Sequence, residues 1–215
     1  MKNIKALIKP AIKDTWFNTF YMKNKRKKYI DSVRSKFNYE NKPSIICSNG
    51  IGGIIYDNLG LEFLSPTTYL WMTNKDLIKF VKNIREYVAE DLIDNGNLEE
   101  YPTGKLNDIT LYFNHDHSFY EAKNKWNVRR EKLDFNNLYI MMGDSGLSYE
   151  DLRGLSSLPC KKLIVFTARK YPELAYTFQL KKYEKESSVG QFAVRNFDGF
   201  RDFEKEFDYV NWLNE

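Results

Sequence analysis

The chain has 215 residues, 42% of them hydrophobic and 29% charged, enough to bury a full core in one domain. No run reaches the ~18 apolar residues that span a bilayer, and the basic start lacks a signal peptide's apolar core and cleavage site, so the chain reads as cytoplasmic. The net charge of +4 hides an asymmetry: residues 1–42 carry a net +9 and the remainder a net −5.

Residues 2–37 read as helical, with Ile4, Leu7, Ile8, Ala11, Ile12, Trp16 and Phe20 at helical spacing. Pro10 is expected to interrupt or kink that pattern. The run Lys25-Arg26-Lys27-Lys28 suits either a solvated helix face or, beside Trp16, Phe17, Phe20 and Tyr21, an anionic membrane surface contacted through residues 2–28. No recognised motif accompanies it to suggest nucleic acid. Asn41-Lys42-Pro43 closes this segment, which divides the chain into a basic amphipathic helical part (1–42) and an α/β domain (43–215).

From Ser44 onward strand and helix patterns alternate. Strands are expected at 44–47, 67–72, 108–113, 137–142 and 162–167, with a sixth within 175–180. Helices are expected at 52–59, 75–94, 118–132 and 148–157, and one more near the C-terminus anchored by Phe203, Phe207, Val210 and Trp212. Thr73 with Asp76, Ser118 with Glu121 and Ser148 with Asp151 have the spacing of capping boxes, and Asn95-Gly96 offers a stop for the second helix. The fold class expected is a three-layer α/β/α, mostly parallel Rossmann-like sheet with an added N-terminal helical segment. Parallel strands place their loops at one edge. The turn at Ser48–Gly53, Thr73, Asn114–Ser118, Gly143–Leu147 and Thr167 would then converge there.

The turn Ser48-Asn49-Gly50-Ile51-Gly52-Gly53 joins an apolar strand to a helix start. Its glycines permit positive φ and close approach of a ligand to the backbone, and free N–H groups at the helix start suit an anion. The spacing matches neither a dinucleotide fingerprint nor a Walker loop, and leaves a structural turn and a phosphate-binding loop both open. His115 and His117, the chain's two histidines, lie together in Phe113–Ser118. His115 is a candidate general base. The His-x-His pair with Asp116 lacks an identifiable third metal ligand, so no metal is expected. Cys47 and Ser48 are candidate nucleophiles, but Gly-x-Ser-x-Gly is absent and Cys47 reads as a buried small hydrophobe. Asp144 is placed to coordinate a metal, to orient a sugar hydroxyl or to form an ordinary turn. Arg169, just after a strand, is better placed to meet a phosphate than Arg129 or Arg130, which suit a helix surface.

Several segments taken together resemble a bacterial family of exopolysaccharide biosynthesis proteins built on a domain of unknown function. They are Ser48–Gly53, Leu59-Gly60-Leu61, Ser65-Pro66-Thr67, Tyr101–Leu106, the His115 segment, Glu121-Ala122-Lys123 with Trp126 and Arg129-Arg130, and Phe166-Thr167 with Tyr171-Pro172-Glu173. The resemblance covers residues 43–215 and implies a three-layer α/β protein, cytoplasmic or membrane-peripheral, that serves surface polysaccharide assembly. Members of that family often carry Ser-Asn-Cys where this chain has Ser48-Asn49-Gly50, which favours a binding role for the turn over covalent catalysis.

The function expected is a metal-independent transferase acting on a glycan or lipid-linked glycan precursor at the inner face of the membrane. It would need no cofactor and would use a nucleotide-sugar donor as substrate. His115 would be the base. Asn49 and Asp144 would orient sugar hydroxyls, and Gly50, Gly52 and Gly53, with Thr73, His117, Thr167 and Arg169, would contact substrate. An acyltransferase or esterase pairing Ser48 with His115, and a non-enzymatic assembly scaffold, are the alternatives.

Overall fold

Ser44–Cys47 (β1) is buried along its whole length and runs parallel to Leu138–Gly143 (β5), with Ile45 opposite Tyr139 and Cys47 opposite Met141. Lys162–Thr167 (β6) and Thr177–Gln179 (β7) continue the sheet, giving the order β1-β5-β6-β7, parallel throughout. The coordinates are a computed structural model that describes the backbone of residues 4–97 and 100–215 and the side chains of residues 20–97 and 100–215. A second, antiparallel sheet is built from Ile93–Asp94 (β2), Thr103–Leu106 (β3) and Ile109–Tyr112 (β4).

Residue alternation along the parallel strands supplies two cores at once. Ile46, Ile140, Met142 and Val165 join one cluster, while Ile45, Tyr139, Met141, Ile164 and Phe166 join the other. A strand buried on both faces needs a near-continuous apolar run, which is what β1 and β5 have. The first core takes side chains from Asn74–Lys82 (α3), Ile84–Ala89 (α4), Phe119–Arg130 (α5), Tyr149–Gly154 (α6) and the antiparallel sheet. The second takes them from the end of Ile4–Lys36 (α1), from Ile51–Leu59 (α2), and from Asp202–Glu206 (α7) and Tyr209–Asn214 (α8).

Three elements differ from the sequence reading. Residues 67–72 form no strand. Ser65, Thr67 and Thr68 bond to one another and to nearby backbone: the Thr67 amide donates to Ser65 Oγ and the Thr68 hydroxyl to the Ser65 carbonyl. Such local bonds compete with a ladder. The strand read at 108–113 exists as β4, but it pairs antiparallel with β3 and lies outside the main sheet. The helix read over 75–94 divides at Asn83 and ends by Ala89, and Ile93–Asp94 turns into the small sheet. The cap signals at Thr73, Ser118 and Ser148 are realised, with Ser148 and Asp151 forming a full capping box.

Helix α1 is one assigned element through Pro10, since a single missing amide donor does not end a run this long. The side chains read as its apolar stripe from Ile4 to Trp16, and Phe17, lie outside the described residues. Its last turns are docked on the body. Val33 and Phe37 enter the second core, and Arg34 donates to the carbonyls of Asp57 and Asn58, which end α2. Arg26 turns inward from the basic run and forks onto Glu204 at 2.7 and 2.8 Å, while Lys27 and Lys28 face solvent. Asn58 donates to the same carboxylate at 2.8 Å and the Arg201 amide at 2.9 Å.

Candidate active site

The helix after β1 packs on one face of the sheet and the helix after β5 on the other. Adjacent parallel strands whose continuations leave on opposite faces open a crevice at their carboxyl ends. A cavity of about 470 Å³ occupies that position. Its floor is Ser48, Asn49 and Gly143, and its walls are the segments Trp71–Asn74 and Ser188–Phe192. Ser145 and Gly146 complete the rim, and none of the lining residues carries a charge.

Asn74 holds the crevice in shape. Its amide donates to the carbonyls of Gly143 (2.9 Å) and Ser145 (2.8 Å), and its Oδ1 accepts the Ser48 hydroxyl at 2.6 Å. The ends of β1 and β5 are thus tied through one side chain. The Ser188–Phe192 wall is fastened by Asp144, whose two oxygens accept the amides of Ala168 (2.9 Å) and Val189 (2.7 Å). Burial pushes the Asp144 carboxyl up, and these amides only partly oppose it. A Cβ on Gly143 would come within 2.8 Å of Val189 and 3.1 Å of Phe192, so the wall closes only over glycine.

What remains open to a ligand is neutral and polar. Asn49 spends its Oδ1 on the Ile51 amide, which leaves its Nδ2 free among the described residues. The hydroxyls of Ser145 and Ser188 and the amide of Gln191 likewise have no protein partner there. Thr73 Oγ1 accepts the Asp76 amide and keeps its own proton to give. Trp71, 42% exposed, is pinned by a two-way backbone pairing with Tyr112, whose ring lies 4.6 Å from the indole.

The residues singled out in the sequence are therefore distributed unevenly. Ser48, Asn49 and Thr73 line the crevice and Asp144 buttresses it from behind. The Ser48 hydroxyl is committed to Asn74, and no hydrogen bond joins it to either histidine among the described residues. Cys47 is fully buried, and burial raises its thiol to about 11. The Thr167 hydroxyl donates to the Arg169 carbonyl, and Arg169 and His117 point to solvent. Among the described residues, no three His, Cys, Asp or Glu side chains gather in a way that would hold a metal ion.

Two glycines of the turn, Gly52 and Gly53, serve packing. Gly50 has φ −69° and none of the three takes positive φ, in contrast to the conformational freedom read from the sequence. A Cβ on Gly52 would lie 2.9 Å from Cys47 Sγ, and one on Gly53 2.8 Å from the Tyr69 ring. Helix α2 can lie this close to β1 and to Tyr69 only without those side chains. Two of its first amides are also taken: Ile51 by Asn49 Oδ1 and Gly52 by Cys47 Sγ.

Tyr69 organises a second cluster beside the crevice. It sits at φ 58°, in the left-handed region, with its hydroxyl on Asp57 and its ring 5.2 Å from that of His115. Arg129 stacks on Phe63 at 4.8 Å and donates to the Thr68 carbonyl at 3.0 Å. Burial lowers the Arg129 pKa, as it does that of Arg201, whose Nε donates to the Ala193 carbonyl. Arg130, by contrast, caps α4 through the carbonyls of Val88 and Glu90. Sequence reasoning passed over Trp71, Asn74 and Ser188–Phe192. The cap at Thr73 marked Asn74 as the start of a helix, but nothing local signalled the long loop that folds back from residue 188.

A family profile described as "Domain of unknown function (DUF1919)" matches residues 21–214. An uncharacterized protein of Haemophilus influenzae is 33% identical over 173 residues, which cover 80% of this chain and 84% of that one.

Proposed function

We propose that this chain, which belongs to the DUF1919 family, is a transferase that binds a glycan precursor in the crevice and takes a sugar from a nucleotide-sugar donor. One observation carries the reading: the crevice is lined by unpartnered hydroxyl and amide groups, with an exposed indole on one wall and no charge. Sugar hydroxyls are neutral donors and acceptors that need fixed partners of the same kind, and the C–H face of a pyranose packs on an aromatic ring. Asn49, Ser145, Ser188 and Gln191 would hold the hydroxyls and Trp71 the ring face. Asn74 and Asp144 act as positioning residues.

In the step assigned, the acceptor hydroxyl oxygen bonds to the anomeric carbon of the donor. The bond from that carbon to the phosphate oxygen breaks, and the nucleoside diphosphate leaves. His115, exposed on Tyr69, takes the acceptor proton and releases it to solvent. The occupied hydroxyl of Ser48 weighs against the acyl-transfer alternative, since a nucleophile needs its base within hydrogen-bond reach. Surface-polysaccharide assembly is the setting in which we place the activity. Exposed Phe20 and Tyr21 beside Lys23, Lys27 and Lys28 support contact of α1 with an anionic membrane surface that presents the acceptor. Among the described residues no helix is long and apolar enough to cross a membrane.

The test is calorimetric titration with hexose oligosaccharides and UDP-hexoses, followed by radiolabelled sugar transfer. Binding that is lost in Trp71→Ala, with transfer lost in His115→Ala, supports the reading. A wild-type protein that binds no saccharide in either form overturns it.

A further inference from the structure

We infer that Tyr69, Arg129, Arg201 and His115 form an anion subsite adjoining the crevice, fitted to the diphosphate of the ligand. The identity of the sugar site rests on the proposed function, but the anion subsite stands on separate observations.

The first is Arg129. Its guanidinium is partly buried, and its described partners, the Thr68 carbonyl and the Phe63 ring, carry no charge. Taking a cation from water without an anionic partner is costly, and the desolvation that lowers this arginine's pKa reflects that cost. The carboxylate whose field reaches it, Asp116, is engaged at 2.5 Å by Lys125. Arg201 is in a related position. Its Nη1 is buried without a hydrogen bond and stands 3.6 Å from Glu204, a carboxylate already saturated by Arg26, Asn58 and the Arg201 amide. Arg195 adds positive field at Arg201, where Glu204 is the opposing charge, and Asp57, bonded to Tyr69, is a further carboxylate beside the cluster.

The second observation is connectivity. Three chain segments pass directly from the crevice to this cluster. Trp71 lines the crevice two residues after Tyr69. Phe192 lines it beside Ala193, whose carbonyl holds Arg201. Asn49 lines it beside Gly50, where an added Cβ would stand in van der Waals contact with the Tyr69 ring at 3.7 Å. A ligand with its sugar against Trp71 would therefore carry a phosphate attached to that sugar towards the arginines. The third is strain. A tyrosine at φ 58° is uncommon, and a backbone held there at some cost is characteristic of ligand clamps. The result assigns opposite chemistries to neighbouring walls: neutral donors for the sugar, and guanidinium forks, which match phosphate oxygens in pairs, for the diphosphate.

The experiment uses the full chain and three probes: inorganic pyrophosphate, UDP and farnesyl diphosphate. Affinity is read by calorimetry and by broadening of the probes' phosphorus resonances. Pyrophosphate should bind the wild type, and Arg129→Gln should weaken it about tenfold or more, while an uncharged saccharide retains its affinity for the variant. Arg129→Lys, which keeps the charge but not the guanidinium fork, provides a second variant should Arg129→Gln not fold, with a several-fold loss expected. Tighter binding of UDP than of pyrophosphate identifies a nucleotide donor, and tighter binding of farnesyl diphosphate a lipid-linked substrate. Each supports the subsite. Saccharide binding without any binding of the three phosphates overturns it and leaves the glycan reading standing. Phosphate binding without saccharide binding upholds the subsite and removes the glycan reading.

Discussion

Two polar regions of this protein are built on opposite plans. In the knot around Glu204, the carboxylate side chain is fully inaccessible and receives a bidentate arginine, an amide side chain and a backbone amide. In the crevice, hydroxyls and amides of Ser145, Ser188 and Gln191 are left without a protein partner. A buried carboxylate without partners is destabilising, so the Glu204 knot is saturated, whereas Ser145 and Gln191 are exposed and Ser188 is half-buried, and these groups can exchange water for a ligand at little cost. The saturated carboxylate serves as the brace, whereas the crevice groups and the Arg129 guanidinium keep capacity for a ligand.

The largest effect expected follows from breaking the brace. Arg26→Ala strands the Glu204 carboxylate in the interior and should cost about 3–5 kcal/mol in denaturant unfolding, with saccharide binding retained below the transition. The same pair sets a pH dependence. Burial tends to push the Glu204 carboxyl up, but the bonds from Arg26, the Arg201 amide and Asn58 outweigh it and hold it below the ordinary glutamate range. A depressed folded-state value means that the stabilisation is full above the unfolded value, ~4.3, and is lost as pH falls below it. Urea midpoints measured between pH 6 and pH 3 should fall steeply for the wild type and more gently for Arg26→Ala.

Next comes the wall between the two regions. Gly53→Ala drives a methyl into the Tyr69 ring and should cost about 1–3 kcal/mol, whereas Gly50→Ala, with its nearest neighbour at 3.7 Å, should be tolerated. If both variants were equally stable, the packing explanation for the glycine turn would fail. Asp144→Asn lies at similar size. An amide side chain has one acceptor oxygen for two backbone donors, so one of Ala168 and Val189 loses its partner, at about 1–3 kcal/mol. Faster hydrogen exchange confined to residues 188–192 would locate the loss.

The smallest effect on stability and the clearest on function should come from Trp71→Ala. Removing an indole that is 42% exposed should cost about 1 kcal/mol, most of it in the Tyr112 ring contact. Saccharide affinity should fall about tenfold or more, equal to ~1.4 kcal/mol. Equal affinity in wild type and variant would make the crevice another structural cavity.

Much of this was legible locally. The caps at Thr73, Ser118 and Ser148, the buried strands 44–47, 137–142 and 162–167, and the turn at Ser48–Gly53 follow from short-range rules, since each depends on residues within one turn or one pleat of each other. The misread segments are those where two local signals compete. Residues 67–72 have β-forming composition, but Ser65 and Thr67 form their own hydrogen bonds first. Residues 108–113 form a strand, yet periodicity carries no information about which sheet receives it.

By itself, the sequence determined that short apolar strands would lie at Ser44, near Leu138 and at Lys162, and that a glycine-rich turn would join the first of them to a helix. Only the tertiary structure decided what Gly52 and Gly53 are for: the Tyr69 ring packs against Gly53 and the Cys47 side chain, folded back from the strand before the turn, packs against Gly52, so no ligand is needed to explain them. It also decided which polar groups are spent. Arg26 lies in a run that reads as a solvated face and is consumed by Glu204, 178 residues away. The loop from Ser188 supplies half of a crevice whose other half begins at Ser48. Such pairings depend on the free energy of burial across the whole chain, which no local pattern encodes.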